Sequence, residues 1–362
     1  MSSLLTTPLH DWHVANGARM VPFAGWSMPV QYRSILEEHK HTRTRASLFD
    51  ISHMGEFLLE GPGATSALSR VVTHNLQTLA PGKCRYGFLL NERGGVQDDL
   101  IVYRLAEEKY MLVVNGARID ADFSWIAGLL PAGLCFLNQS DKTAKIDLQG
   151  PASFAALAAA IPGDWASLGY FGFRETRIED FPLLVSRTGY TGELGYELYL
   201  PWDKAQWLWE RLLNEPDVLP AGLGARDTLR LEMGLPLYGQ DLDEEHTPVE
   251  AGYGPILTSS EPFVGKAGLD AVRERLIGLR IEGRRSARPH DEVYLGGTRA
   301  GVVTSGSIAP SLGCCVALAY VRADLAGASS FTIRAARTSL EAVRVEPPFY
   351  TEGTARKKTG AR

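Results

Sequence analysis

Two aspartates, Asp98 and Asp99, enter an apolar strand directly after a glycine pair, Gly94-Gly95. Phe88-Leu89-Leu90, the turn Asn91-Glu92-Arg93-Gly94-Gly95 and Val96-Gln97-Asp98-Asp99-Leu100-Ile101-Val102-Tyr103 predict strand, turn, strand: a hairpin. Acids in a turn are ordinary, whereas acids inside the returning strand are less so. Alternation puts Asp98 on one face with Leu100, Val102 and Arg104, and Asp99 on the other with Ile101, Tyr103 and Leu105. The face that ends in arginine is expected nearer to water. The apolar and aromatic face makes Asp99 the candidate for a carboxylate turned into a pocket. Desolvation there would raise its proton affinity toward the range useful for proton transfer. The plain alternative is two solvated acids flanking a turn.

Across the chain, the residues that interrupt apolar strands are acids, arginines and tyrosines. Such groups suit a flat, polar heteroaromatic ligand with a charged tail. A carboxylate accepts two hydrogen bonds from a guanidine-like ring edge, such as a pterin presents. Tyrosine packs on ring faces, and arginine clamps a carboxylate. Arg226 and Arg230, four apart on a predicted helix, share a face. Composition and spacing do not name the ligand.

Other chemistries lack their residues. No Gly-x-Gly-x-x-Gly opens a strand-turn-helix, and there is no phosphate loop or Gly-x-Ser-x-Gly elbow. The four cysteines, Cys84, Cys135, Cys314 and Cys315, form no Cys-x-x-Cys and read as reduced core thiols. The eight histidines show no metal pattern; His39 and His41, two apart on a predicted helix, read as surface residues. Net charge is −5, so no global basic field favours nucleic acid. No apolar run approaches the roughly 20 residues of a membrane helix. With neither a secretion signal nor an Arg-rich transit peptide at the N-terminus, the expected location is cytoplasmic.

The elements that must position these groups are readable in outline. At 362 residues, 45% hydrophobic and 22% charged, the chain implies two or three globular domains. Ser34 and Glu37 form a capping-box pattern ahead of a helix running to about Arg45. Strand segments ending in Leu59-Glu60-Gly61-Pro62 and Leu148-Gln149-Gly150-Pro151 are each followed by an Ala-rich helical stretch, which suggests two related α/β units. Further strands are expected at Tyr110–Val114, Phe181–Arg187 and Tyr196–Leu200, with helices over Asp120–Leu129 and Trp202–Leu213. From about Leu276, short strands alternate with Gly, Pro and Ser turns, which predicts a separate small β-barrel or sandwich. Residues 351–362 read as a basic, disordered tail.

An ordered set of motifs carries a family resemblance: Phe23-Ala24-Gly25-Trp26-Ser27-Met28-Pro29-Val30-Gln31-Tyr32, Phe49-Asp50-Ile51-Ser52-His53-Met54-Gly55-Glu56, Gly94 to Leu100, Thr188-Gly189-Tyr190-Thr191-Gly192-Glu193-Leu194-Gly195-Tyr196-Glu197, Ala225 to Glu232, Thr247 to Gly252 and Val303-Thr304-Ser305-Gly306. Together they closely resemble the T-protein of the glycine cleavage system, a tetrahydrofolate-dependent aminomethyltransferase. The resemblance implies an α+β, multi-domain fold: two related α/β units around a central opening, with a small C-terminal β-barrel. It implies a folate-binding region over 1–275, built of intertwined units (roughly 1–50 with 140–275, and 51–139), and a barrel over 276–350. It implies transfer of the one-carbon unit from the lipoyl arm of an H-protein to tetrahydrofolate, with ammonia released and 5,10-methylenetetrahydrofolate formed. No metal is implied.

Residue by residue, the family's catalytic acid falls on Asp99. Met54, Tyr86 and Asn115 match positions lining the folate site, and Tyr190, Glu197 and Arg226 match positions that bind folate or substrate. Each keeps a plain alternative: Met54 and Tyr86 as core, Asn115 as a strand-end turn, Glu197 and Arg226 as a structural ion pair. Two departures stand out. Pro255 replaces the usual tryptophan and is expected to reshape a pocket wall, and Cys314-Cys315 lie where lysine is common. Rival readings are a folate-dependent demethylase of the same superfamily and a non-catalytic folate-binding protein. The folate-binding iron–sulfur maintenance protein is disfavoured, since its cysteine signature would fall near Glu261–Lys266, where no cysteine stands.

Overall fold

The computed structural model describes residues 4–335 and 338–359. Two antiparallel-rich sheets carry the N-terminal three quarters of the chain. The first runs in the order Lys83–Leu90, Val96–Ala106, Lys109–Val114, Gly55–Glu60, Cys135–Asn138, all antiparallel. The second runs Phe173–Ile178, Phe181–Ser186, Gly195–Pro201, Thr143–Gln149, Ala46–Asp50, Val218–Pro220, with only its last pair parallel. A small three-stranded sheet precedes them, with Trp26–Gln31 between Leu5–Thr6 and Arg19–Phe23. The strands Glu274–Ile281, Cys314–Arg322, Thr298–Ala309, Glu292–Leu295, Ser330–Ala335 and Thr338–Val345 close the expected barrel.

The two sheets share a local plan. In each, a strand ends in a glycine at nearly the same positive φ, +133° at Gly61 and +132° at Gly150, and a short helix follows, Ala64–Ser69 or Ser153–Ala160. Only glycine adopts that backbone without strain. At Gly150 a side chain would also strike the Arg45 carbonyl 2.1 Å away.

Each sheet buries one face under helices and the other against its partner sheet. Leu157, Trp165, Leu208 and Trp209 cover the outer side of the second sheet. Leu68, Val71 and Ile126 cover the outer side of the first, meeting Phe57, Leu100 and Val102. Between the sheets lie Cys84, Tyr103 and Val113 from one and Phe173, Leu184 and Tyr199 from the other. Alternation then sorts the acids: Asp98 points with Leu100 and Val102 toward the helices, and Asp99 points toward the second sheet. The expectation that Asp98 lies nearer water is wrong, because its side is helix-covered and Asp98 is 0% exposed.

Several local readings are corrected by packing. Ser34 Oγ does cap Ile35–Thr44, accepting from Glu37 N at 3.3 Å. Glu38, not Glu37, reaches back, accepting from the Tyr32 and Arg33 amides at 2.6 and 3.0 Å. His39 is buried, not on the surface, bonded to Thr228 (2.8 Å) and Ser311 (3.0 Å), because a helix and a barrel loop cover it. His41 is partly buried against the Asp217 carbonyl. Of the four free cysteines Cys135 is exposed, on a sheet-edge strand.

The tail is not loose over 351–359. Thr354 donates through Oγ1 to Glu193 at 2.5 Å and accepts from Leu194 N at 2.8 Å, while Ala355 N donates to the Gly192 carbonyl at 3.0 Å. The tail supplies further hydrogen-bond partners to the loop Gly192–Leu194, which composition alone does not reveal. Residues 360–362 of the expected tail lie outside the described residues.

The Asn91–Gly95 turn is locked from outside. Asn91 Oδ1 accepts from Arg93 N and Gly95 N, and Val96 N donates to the Asp243 and His246 carbonyls. A methyl group on Gly95 would lie 1.9 Å from the Glu244 carbonyl oxygen. Gly95→Ala should therefore lower unfolding free energy by about 1–3 kcal/mol in urea denaturation; unchanged stability would mean that the 241–250 segment does not press on this turn.

Candidate active site

A cavity of about 1070 Å³ opens between the two sheets and the helix Leu223–Glu232. Met54, Tyr86, Asp99, Asn115, Tyr190, Glu197 and Arg226 all line it. The first four come from the first sheet or its strand ends, Glu197 from the second sheet, Tyr190 from the loop before it, and Arg226 from the helix.

Asp99 is held by Asn115, whose side-chain nitrogen lies 2.9 Å from Asp99 Oδ1, 3.2 Å from its carbonyl and 2.8 Å from Asp98 Oδ1. Burial, with the charge of Asp98 beside it, pushes the Asp99 carboxyl up to about 7, against the opposing influence of Tyr86 and Asn115. A carboxyl with that proton affinity accepts and returns protons near neutrality. The Tyr86 hydroxyl faces Asp99 but is buried without a hydrogen-bond partner among the described residues. Its ring lies against Phe88 and Tyr253, with centroids 5.3 and 5.6 Å away.

The opposite wall is a layer of paired charges. Asp147 and Glu197 stand directly across from each other on adjacent antiparallel strands, an arrangement that repels unless cations intervene. Arg226 Nη1 sits 2.5 Å from Asp147 Oδ2, and Lys145 Nζ sits 3.4 Å from Glu197 Oε1. Burial nevertheless pushes Asp147 up to about 6, with Arg226 opposing. Glu197 also loses hydration, yet Lys145, Thr188 and Arg226 hold it below the usual carboxylate range. Its Oε2 accepts from Thr188 Oγ1 at 2.6 Å and lies 3.3–3.4 Å from the Tyr199 and Tyr103 hydroxyls. Glu197 and Arg226 are thus not each other's salt-bridge partner. Tyr190 spends its hydroxyl on the Pro236 carbonyl and lays its ring under the Arg226 guanidinium, 5.0 Å from centroid to carbon. Met54 is both lining and packing: Lys145 Nζ lies 3.5 Å from its sulfur, and it touches the clusters on either side.

The sequence reading missed Lys145, Asp147 and His53 as members of this layer or its cavity. A signal was present in the strand Thr143–Gln149, where Lys145, Asp147 and Gln149 alternate with the fully buried Ala144, Ile146 and Leu148. A charged face on a strand with no exposed residue has to meet other charges. His53 lines the cavity with Nδ1 unpartnered, and burial with the neighbouring cations brings it down to about 4, so it is neutral. Pro255 is itself exposed, while Tyr253 and Ile256 on either side of it line the cavity. Among the described residues no group of three or more His, Cys, Asp or Glu is arranged to hold a metal ion.

This arrangement defines a class: a two-sheet α/β body with an acid-lined central cavity and an appended six-stranded barrel. Residues 9–260 match the family described as the GCVT N-terminal domain, and residues 274–351 match the glycine cleavage T-protein C-terminal barrel domain. The chain belongs to the glycine cleavage T-protein family of aminomethyltransferases, transferases of one-carbon metabolism and glycine catabolism. It is 42% identical to an aminomethyltransferase of Halothermothrix orenii over 95% of this chain and 99% of that one. It is 44% identical to one of Rubrobacter xylanophilus over 96% and 95%. The crystal structure of glycine cleavage system aminomethyltransferase T from Bartonella henselae superposes with a TM-score of 0.91 at 35% identity, covering 97% of this chain and 99% of that one.

If Lys145 and Glu197 form a buried charge pair, removing one member is costly and removing both is not. Lys145→Met alone should destabilise by about 3–5 kcal/mol, and Lys145→Met with Glu197→Gln should recover most of that loss in urea unfolding. Equal losses in the single and double variants would show that the two charges do not depend on each other.

Proposed function

We propose that the central cavity is where this aminomethyltransferase brings together tetrahydrofolate and the aminomethyl-bearing lipoyl arm of an H-protein. The one-carbon unit leaves the arm's sulfur for the folate, ammonia is released, and 5,10-methylenetetrahydrofolate and dihydrolipoyl H-protein are the products. The observation that carries the reading is the pairing of two unlike walls. One has a single carboxyl near neutral proton affinity, Asp99. The other has an ionised carboxylate, Glu197, beside a guanidinium, Arg226.

The donor set fits a pterin. Glu197 keeps lone pairs on Oε1 that can accept from the ring's amino-pyrimidine edge. Among the described residues Arg226 uses only Nη1 in a hydrogen bond, so its other N–H groups can serve ring or carbonyl acceptors. The Tyr86 and His53 polar atoms are buried and unpartnered, which is costly unless a bound molecule or water satisfies them. We assign Met54, Tyr86, Asn115, Tyr190, Glu197 and Arg226 to folate or substrate contacts, Tyr190 through Arg226 and Asn115 through Asp99.

Asp99 supplies the chemistry that the chain itself contributes. As carboxylate it stabilises the positive charge that develops on the one-carbon unit as its bond to sulfur or nitrogen breaks. Placed beside the same atoms, it takes up the proton released when the new carbon–nitrogen bond forms. Neither step needs a covalent link to the protein. No described helix is long and apolar enough to cross a membrane, and a cytoplasmic location accords with a reaction that uses a reduced folate and a protein-bound thiol.

A single turnover of aminomethylated H-protein with tetrahydrofolate tests this directly. Wild type should form methylenetetrahydrofolate, and Asp99→Asn should be slower by about 10²–10⁴-fold with the fold intact. Because the carboxylate is the active form and its affinity for the proton is raised, the wild-type rate should climb with pH through about 7 and level off above it. Folate binding without product from this donor would point to the demethylase reading, and near-normal turnover by Asp99→Asn would remove Asp99 from the role.

A further inference from the structure

Behind Asp99, on the side away from the cavity, two more carboxyls are sealed under the helix Ile119–Leu129. Asp98 and Asp122 are both 0% exposed. The two are neighbours under that helix: beyond burial, Asp122 pushes the Asp98 carboxyl up by its like charge and by hydrogen bonding, and Asp98 in turn acts as a donor toward Asp122. Asp98 accepts from Asn115 through both oxygens, from the backbone amide at 2.9 Å and the side-chain amide at 2.8 Å. Asp122 has no donor on either oxygen among the described residues; the nearest cation, Arg118, stands 3.5 Å away through Nε outside hydrogen-bond geometry. Two neighbouring buried carboxyls, with protein donors on only one, are relieved by sharing a proton. That proton supplies the donor that Asp122 otherwise lacks.

The same Asn115 nitrogen that bonds Asp98 also bonds Asp99. We infer that Asp98 and Asp122 form a proton-sharing pair which positions Asn115 and sets how much negative charge stands next to Asp99. The inference deepens the proposed reaction and rests on Asp99 being its acid–base group. With the proton shared, one negative charge is spread over the pair and drawn toward Asp122 by Arg118. If the charge moved onto Asp98, it would repel the Asp99 carboxylate at closer range. The other groups facing the pair are Tyr238, packed on Arg118 at 5.6 Å, and Glu244, 3.5 Å from Arg118. Those facing Asp99 are Tyr86, Tyr190 and Tyr253. Asp98 and Asp122 line no part of the cavity, so both are positioning residues.

Isosteric amides separate this from a merely structural role. In Asp122→Asn the new amide donates to Asp98, which then holds the whole charge, and the acid limb of the single-turnover pH profile should move up by about one unit. In Asp98→Asn the charge stays on Asp122 beside Arg118, and the limb should move down by a similar amount. Arg118→Gln, at a partly exposed position, releases the charge toward Asp98 and should move the limb up without disturbing the core. Thermal unfolding identifies which variants are folded, and the direction of shift in any folded one decides. An unmoved midpoint, or shifts of one sign in both aspartate variants, overturns the inference. If wild type forms no product, the reaction reading fails on its own, and carbon-13 NMR of the Asp99 carboxyl carries the same three comparisons.

Discussion

Asp147 and Glu197 lie side by side, both buried, on neighbouring strands of one face. Two buried carboxylates in that register cannot persist without cations. Lys145 comes from the same strand as Asp147, and Arg226 comes from a helix later in the chain. The helix Leu223–Glu232 is thereby tied to the middle of the second sheet. Its neighbour Arg230, bonded to Asp241 at 2.7 Å and to Ser305 at 2.9 Å, ties it to the barrel as well. The cavity lies where this charged layer faces it, whereas the sheets close on apolar contacts at Tyr103, Phe173 and Tyr199. Such a layer costs stability, since well-packed apolar residues would serve the fold at least as well. Its presence is better explained by a polar ligand than by the needs of folding.

The two walls differ in electrostatic environment. On the second sheet, cations outweigh desolvation and Glu197 stays ionised. On the first, no cation among the described residues pairs with Asp99; burial and a neighbouring carboxyl dominate, and its proton affinity rises. Side chains that are chemically alike are thereby suited to the two proposed roles, Glu197 to recognition and Asp99 to proton exchange. His53 between them is kept neutral by burial and by the same cations.

Local pattern told much of this, within a definable limit. The hairpin, the strand–glycine–helix repeat and the barrel follow from periodicity and turn residues, which act over a few neighbours. The choice of Asp99 over its neighbour also followed from alternation. The reason offered for Asp98 was wrong, because alternation says which residues share a face and not what covers it; here Leu68, Val71 and Ile126, not water, occupy that side. His39 misled in the same way, its cover being Thr228 and a barrel loop far along the chain. Lys145 and Asp147 were readable as an alternating charged face, but their partners on another strand and a later helix were not. The tail was read from its composition as disordered, whereas Thr354 and Ala355 find backbone and carboxylate partners on the loop Gly192–Leu194. In each case the missing information was a long-range contact.

The proposed reading has Glu197 kept ionised in order to hold a ligand. Calorimetric titration of tetrahydrofolate into wild type and Glu197→Gln tests it most directly, with unfolding measured on both. Loss of a hydrogen bond to a charged group is worth about 1.5–3 kcal/mol, so the dissociation constant should rise by roughly 10–100-fold while the protein remains folded. An unchanged dissociation constant in a folded Glu197→Gln variant would contradict it, and would leave the charged layer as scaffolding alone.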